Sequence, residues 1–101
     1  MLQELVTILK IKIPQFVEII NIMELTKDKV LKKFGKHINY LREKSGLSQN
    51  DVVLNGNKIT KGTISDIENG KRNLSLTTLI DLANGLKVHP KELFDFEFEL
   101  K

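Results

Sequence analysis

The residue types that most often carry chemistry are absent or badly spaced in this sequence. There is no cysteine, which excludes disulfides, thiolate metal sites and a cysteine nucleophile. The two histidines show neither metal-ligand nor catalytic spacing. We expect His37 on the exposed side of a helix and His89 as a cap before Pro90. With no phosphate-binding glycine loop, paired carboxylates or nucleophile beside a base, the sequence predicts no catalytic residue, no metal, no cofactor and no enzymatic activity.

The remaining chemistry is that of charge, which is unevenly distributed. The net charge is only +3, but residues 26–44 carry seven basic and two acidic side chains. Residues 88–101 carry two basic and four acidic ones. A basic segment with an acidic tail indicates one face for a polyanion, although many solvated helices are as basic.

The length and hydropathy pattern predict one small cytoplasmic domain without a membrane interaction. A chain of 101 residues is too short for two well-filled cores. Charged residues and Pro14 interrupt the apolar N-terminus, so no run reaches the roughly 18 to 20 residues of a membrane span. A signal peptide also fits badly, because a basic start and a small-residue cleavage site are missing.

Both ends of the chain contain strand-like alternation. Residues 9–13 alternate apolar and basic, and residues 94–100 alternate apolar and acidic. We expect these segments to pair as a small β-ribbon, with a short helix at 15–25 between the first strand and the main domain. Alternatively, residues 1–22 form a helix, or the native chain begins at Met23.

The middle of the chain predicts five helices joined by short connections. An amphipathic helix is expected at 27–44 and ends at Ser45-Gly46. Capping residues begin the next three helices, namely Ser48 with Asp51, Thr60 before Ile64 and Ile67, and Ser75. The core stripe predicted after Ser75 consists of Leu76, Leu79, Ile80, Leu82, Ala83 and Leu86. A fifth, very short helix is expected at 90–93, with Pro90 at its first position.

The order and spacing of these residues resemble the lambda-repressor-like (Cro/XRE) helix-turn-helix family. The resemblance runs from about Phe34 to Phe94 and includes Phe34-Gly35, Leu41-Arg42, Gly46-Leu47-Ser48-Gln49, Thr63-Ile64-Ser65, Ile67-Glu68-Asn69-Gly70-Lys71-Arg72 and Leu82-Ala83. It implies a mainly α, five-helix DNA-binding domain at 26–94, with an N-terminal extension at 1–25 and a strand-like tail at 95–101. Between Val53 and Thr60 the chain has one residue more than the usual turn, so that a bulge is expected there.

The resemblance also implies roles for individual residues. Arg42 and Glu68 are expected to form a partly buried ion pair, against the alternative of two independent surface charges. Base contacts are assigned to Lys61, Gly62, Ser65 and Asp66, and backbone contacts to Gln49, Thr63, Asn69, Lys71, Arg72 and Asn73. Lys61 would donate to guanine and Asp66 would accept from cytosine, unless Asp66 pairs with Lys61 or acts as a repulsive filter. Gln49 is alternatively an ordinary helix-start residue, and Asn69-Gly70 a helix C-cap followed by a solvated basic turn.

The function implied is a sequence-specific regulator of transcription that binds double-stranded DNA. We expect a repressor or autoregulator that acts as a homodimer on an inverted repeat, with Leu93 and Phe94 at the interface and no small-molecule effector. The asparagine-rich turn and Arg72-Asn73-Leu74-Ser75 are similar to restriction–modification controller proteins, although phage-type repressors look alike at this length. The alternatives are an antitoxin that binds a toxin and its own operator, and a helical interaction module without DNA binding.

Overall fold

The computed structural model describes residues 14–98, with side chains from Lys27 onward. Four α-helices follow one another along the chain: α1 (Pro14–Lys44), α2 (Gln49–Asn55), α3 (Lys61–Glu68) and α4 (Leu76–Leu86). A 3₁₀ helix, Pro90–Phe94, ends the fold. Residues 14–98 contain no strand. The predicted strand at 9–13 lies outside the described residues.

Helix α1 is one continuous helix of 31 residues, where the sequence predicted two. It runs through the expected break near Thr26 and across the predicted domain boundary between residues 25 and 26. The physical reason is local, since neither glycine nor a further proline occurs between Pro14 and Phe34 to interrupt the backbone hydrogen bonds. Pro14 itself is tolerated as the first helical residue, where its missing N–H has no intrahelical partner.

The prediction of a strand in the C-terminal tail is wrong for the described residues. Phe94 ends the 3₁₀ helix, and residues 95–98 form no ladder. The aromatic rings pack against one another in tilted pairs instead. Phe34 on α1 lies 5.6 Å from Phe94 and 6.3 Å from Phe96 between ring centroids, and Phe96 lies 4.4 Å from Phe98. Alternating phenylalanines thus cover α1 by ring packing, which needs no partner strand.

The very short fifth helix expected at 90–93 is a 3₁₀ helix, so the count of five helices in the domain is not supported. Pro90 stands at its start, and the His89 ring accepts a hydrogen bond through Nδ1 from the Lys91 N–H at 3.1 Å. The helix is too short to nucleate α-helical hydrogen bonding by itself, and i to i+3 bonding suits such single turns. The fold is therefore mainly helical, with four α-helices among the described residues.

The core lies where α1, α3 and α4 meet α2 and the 3₁₀ helix. Its fully buried side chains each contribute roughly 1.5 to 3 kcal/mol when removed from water. They are Val52, Ile38, Ile64, Ile67, Leu82, Leu86 and Leu93. Two members of the predicted α4 stripe do not belong to it, because Leu76 is 74% and Ile80 43% exposed. The core thus orients α2 and α3 and leaves one apolar strip of α4 uncovered.

Candidate nucleic-acid interface

Both short helices begin at residues whose side chains cap them. Ser48 and Asp51 form a capping box, with Asp51 N–H to Ser48 Oγ at 3.0 Å and Ser48 N–H to Asp51 Oδ2 at 2.8 Å. The hydrogen bond from the Ser48 N–H lowers the pKa of the Asp51 carboxyl below its ordinary value. At α3, Thr60 Oγ1 accepts from the Thr63 N–H at 3.1 Å. The beginnings of α2 and α3 are therefore set by hydrogen bonds between residues three positions apart in the chain, as the sequence predicted.

The turn between these helices is held by an aspartate from α4. The Asp81 carboxylate accepts from the Asn57 N–H at 2.9 Å and from the Lys58 N–H at 3.0 Å. Partial burial works to raise the pKa of Asp81, but hydrogen bonds from the N–H groups of the turn outweigh it and lower the pKa. Ile59 turns inward and is 6% exposed. The turn is thus anchored at both a polar and an apolar point.

Glu68 connects the end of α3 to α1 and α2. Its carboxylate accepts two hydrogen bonds from Arg42, Nε to Oε2 and Nη2 to Oε1, both at 2.9 Å. Asn39 Nδ2 donates at 2.6 Å and Gln49 Nε2 at 3.4 Å. The ion pair is well shielded, with 14% of the Arg42 side chain and 7% of the Glu68 side chain exposed. This is the partly buried bidentate pair expected from the sequence.

The electrostatics of this network favour the charged carboxylate. Burial of Glu68 works to raise its pKa, but hydrogen bonds from Arg42 and Asn39, with a smaller effect of Gln49, lower it overall. The hydrogen bonds to Glu68 in turn raise the pKa of Arg42. Arg42 Nη1 also donates to the Leu47 carbonyl at 2.9 Å, which ties the connection between α1 and α2 to the same group.

A glycine allows α1 to approach the C-terminal end of α3. A Cβ atom at Gly35 would overlap the Ile67 carbonyl oxygen and lie 2.7 Å from the Glu68 carbonyl oxygen. Glycine in a helix interior normally destabilises it by about 1 kcal/mol relative to alanine. Its position in the middle of a predicted helix was therefore a signal of close packing that sequence reasoning missed.

The outward side of α3 carries the residues to which base contacts were assigned. Lys61 and Gly62 are exposed and Ser65 and Asp66 partly so, whereas Ile64 and Ile67 are buried. We call these four outward residues the α3 face. Two of the alternatives that the sequence left open do not match the structure. Asp66 pairs with Arg72, Nη2 to Oδ2 at 3.2 Å, and not with Lys61. Gln49 donates to Glu68, so it is more than a helix-start residue.

The segment after α3 folds back along the helix. Asn69 Nδ2 donates to the Ser65 carbonyl at 2.9 Å, and the Lys71 N–H donates to the Asp66 carbonyl at 2.8 Å. Gly70 adopts a positive φ of 70° and packs against the Lys32 backbone. Arg72 and Asn73 then line an open groove of about 460 Å³ together with Thr63 and Lys58. Most of the residues predicted to contact DNA are thereby brought to one region around α3, and their contacts with DNA stay predictions.

The histidines take structural positions. His89 caps the 3₁₀ helix as expected. His37 is less exposed than predicted, because its Nε2 lies 2.6 Å from the Glu92 carbonyl oxygen and its ring lies 5.4 Å from that of Phe96. Within residues 14–98 no group of histidines and carboxylates is arranged to hold a metal ion. In the same range no helix has the length and apolar character needed to cross a membrane.

Comparison with known families assigns the class. Residues 38–93 match the helix-turn-helix family, and because this is more than half of the chain, the chain belongs to that family. It is a DNA-binding helix-turn-helix transcription regulator of the Cro/XRE type, which confirms the family predicted from the sequence.

Two proteins similar to this chain are controller proteins. The control protein C.BamHI of Bacillus amyloliquefaciens is 38% identical over 64 residues, which are 62% of this chain and 78% of that protein. The crystal structure of the restriction-modification controller protein C.AhdI from Aeromonas hydrophila has a TM-score of 0.61 and 35% sequence identity. That comparison covers 65% of this chain and 98% of C.AhdI. The present chain thus contains nearly all of the C.AhdI fold and further residues besides.

Proposed function

We propose that this chain is a controller-type regulator that binds an inverted repeat in double-stranded DNA as a homodimer, and thereby represses or autoregulates transcription. Both named relatives are controller proteins, and their similarity supports this subclass. An antitoxin role has no observation in its favour. The domain at 26–94 would supply the DNA contacts, with residues 1–25 as an extension and residues 95–101 as a tail.

The observation that carries the proposal is the support of the α3 face by contacts from α1 and α4. Glu68 joins the end of α3 to Arg42 of α1, Asp81 anchors the turn before it, and the side chains of Ile64 and Ile67 are buried beneath it. A recognition helix needs such support, because its outward side chains must meet base edges in the major groove at a fixed angle. Lys61 would donate to guanine O6 and N7, and Lys71 and Asn73 would bind phosphates.

The dimer is proposed because one domain has too few outward side chains to specify a site. Two copies related by two-fold symmetry would contact half-sites about one helical turn apart, roughly 34 Å. Leu93 cannot take the interface role first assigned to it, since it is fully buried within the chain. Phe94, with 46% exposure, remains available, and Leu76 and Ile80 of α4 join it as exposed apolar side chains.

Selection from a randomised pool of duplexes tests the proposal. The purified chain should enrich an inverted repeat, and Lys61→Ala should relax the preference at one position of each half-site by about 1 to 3 kcal/mol. Lys91→Ala, which removes an exposed lysine from the 3₁₀ helix, is the matched control and should leave the selected sequence unchanged. Enrichment of no sequence by the unmodified chain would refute the proposed function.

A further inference from the structure

Arg72 forms an ion pair with Asp66 of the α3 face. Arg72 Nη2 is 3.2 Å from Asp66 Oδ2, and the two side chains are 46% and 45% exposed. Ion pairs with this much exposure contribute little to folding stability, because water screens the charges. The effect of the pair is therefore expected on binding rather than on folding.

The backbone brings the two residues together without the help of the pair itself. Lys71 N–H bonds to the carbonyl of Asp66, Asn69 caps Ser65, and Gly70 turns the chain at a positive φ of 70°. Arg72 consequently leaves the chain alongside α3 and shares a groove with Thr63 of that helix. The guanidinium is thus held beside the α3 face rather than extended from a separate loop.

The chemistry of the pair decides what it can bind. A lone carboxylate on a surface that approaches DNA is repelled by phosphates, but Arg72 compensates the charge of Asp66. A guanidinium has five N–H donors in a planar fork. The bond to Asp66 Oδ2 uses one N–H of Nη2. The donors left over are sufficient for a bidentate contact, of which guanine O6 and N7 are the matching acceptors in the major groove.

We propose that Asp66 is a positioning residue that holds Arg72 to read a guanine, so that Arg72 determines specificity and is more than a phosphate contact. This inference rests on the proposed function. It changes two assignments made from the sequence, since Arg72 then contacts a base and not the DNA backbone, and Asp66 accepts from Arg72 and not from cytosine. The carboxylate favours this orientation of the guanidinium before DNA arrives, which reduces the entropy lost on binding.

Base preference at single positions tests the proposal, measured with the selected duplex and its single-position substitutions. Arg72→Ala should abolish a preference for guanine of roughly 5- to 150-fold, the range of one good bidentate contact. Asp66→Ala should weaken the preference at the same position, and the double variant should equal Arg72→Ala, because the two residues act as one unit. Lys71→Ala is the matched control and should weaken binding to all duplexes while keeping every base preference.

Three results would overturn the inference. If Arg72→Ala keeps every base preference and only reduces the salt dependence of the affinity, Arg72 is a phosphate contact. If Asp66→Ala changes a preference for cytosine at another position, Asp66 contacts that base directly. If Asp66→Ala instead binds all duplexes more tightly by the same factor, Asp66 acts as a repulsive filter. Each of these leaves specific binding by the unmodified chain intact, whereas failure of the proposed function abolishes it, so the two failures are distinguishable.

Discussion

At the residue scale, the Glu68 carboxylate determines how α3 is attached. It accepts from Asn39 and Arg42 of α1 and from Gln49 of α2. A carboxylate with only 7% of its side chain exposed would be unfavourable without such donors. The arrangement makes the ion pair costly to break from either side, since each partner would leave a buried charge behind.

Glu68→Gln should therefore destabilise the fold. Removing the carboxylate charge leaves Arg42 without its counter-ion, and breaking a buried pair in this way costs roughly 3 to 5 kcal/mol. Urea denaturation followed by circular dichroism measures the change in the free energy of unfolding. Glu92→Gln, an exposed glutamate of the 3₁₀ helix, is the control and should change it by less than about 0.5 kcal/mol. Equal stability of the two variants would contradict the structural role of the pair.

The same carboxylate should make stability depend on pH in the acid range. The pKa of Glu68 is lowered in the folded chain, so below the ordinary glutamate range near 4.5 the unfolded chain binds more protons than the folded one. The contribution is thus fully present above that range and is lost as the pH falls through the lower pKa of the folded state. Asp51 and Asp81 act in the same direction. Denaturation at pH 7 and at several values below 4.5 should show a smaller loss for Glu68→Gln than for the unmodified chain.

At the element scale, the close contact of α1 with α3 reverses a rule of helix propensity. Gly35→Ala should destabilise the fold although alanine is the better helix former, because its Cβ would overlap carbonyl oxygens at the end of α3. Gly62→Ala is the matched control, since the nearest atom to its Cβ is 4.0 Å away. It should stabilise by up to about 1 kcal/mol. Thermal unfolding of both variants should give shifts of opposite sign, and a stabilising Gly35→Ala would disprove the close approach.

The turn between α2 and α3 depends on an aspartate from another helix. Asp81→Ala removes the acceptor of the Asn57 and Lys58 N–H groups and should cost about 1 kcal/mol, since both groups are exposed and water replaces part of the interaction. Amide hydrogen exchange at these two residues should become faster. Asp95→Ala, an exposed aspartate after the 3₁₀ helix, should leave both exchange rates unchanged. Unchanged exchange in Asp81→Ala would mean that the turn is held by its own residues.

At the scale of the whole molecule, the chain is longer than the fold that it shares with its relatives. The comparison with C.AhdI covers 98% of that chain but 65% of this one, and the family match begins at residue 38. Helix α1 begins at Pro14, so much of it precedes the matched region. The exposed apolar strip of Leu76 and Ile80 lies within the matched region, on α4.

This strip leads to the prediction for the assembly. The chain should sediment as a dimer at micromolar concentration, and Ile80→Glu should produce monomers that bind the inverted repeat more weakly, because a charge would be buried at the interface. Leu54→Glu is the control, since Leu54 on α2 is 81% exposed but lies on another helix. A monomer by analytical ultracentrifugation, both free and with DNA, would contradict the dimer. If Leu54→Glu is monomeric and Ile80→Glu stays dimeric, the interface lies on α2 and not on α4.

The sequence by itself determined the features that depend on neighbours one helical turn away. Ser48, Thr60 and Ser75 begin their helices because each side-chain oxygen bonds an N–H three residues later. The inward positions of Ile64 and Ile67 follow from helical spacing. The pairing of Arg42 with Glu68 came from the resemblance to a known family, since 26 residues separate them.

Only the tertiary structure decided the features that depend on distant partners. Asp81 reaches the turn from 24 residues away along the chain, and nothing in its local sequence distinguishes it from a solvated aspartate. Asp66 pairs with Arg72 and not with Lys61 because Gly70 turns the chain back along α3. The tail alternates like a strand, but the ring of Phe34 on α1 offered aromatic packing to Phe94 and Phe96. The alternation of the tail predicts which side chains are buried, but the rest of the fold decides which surface buries them.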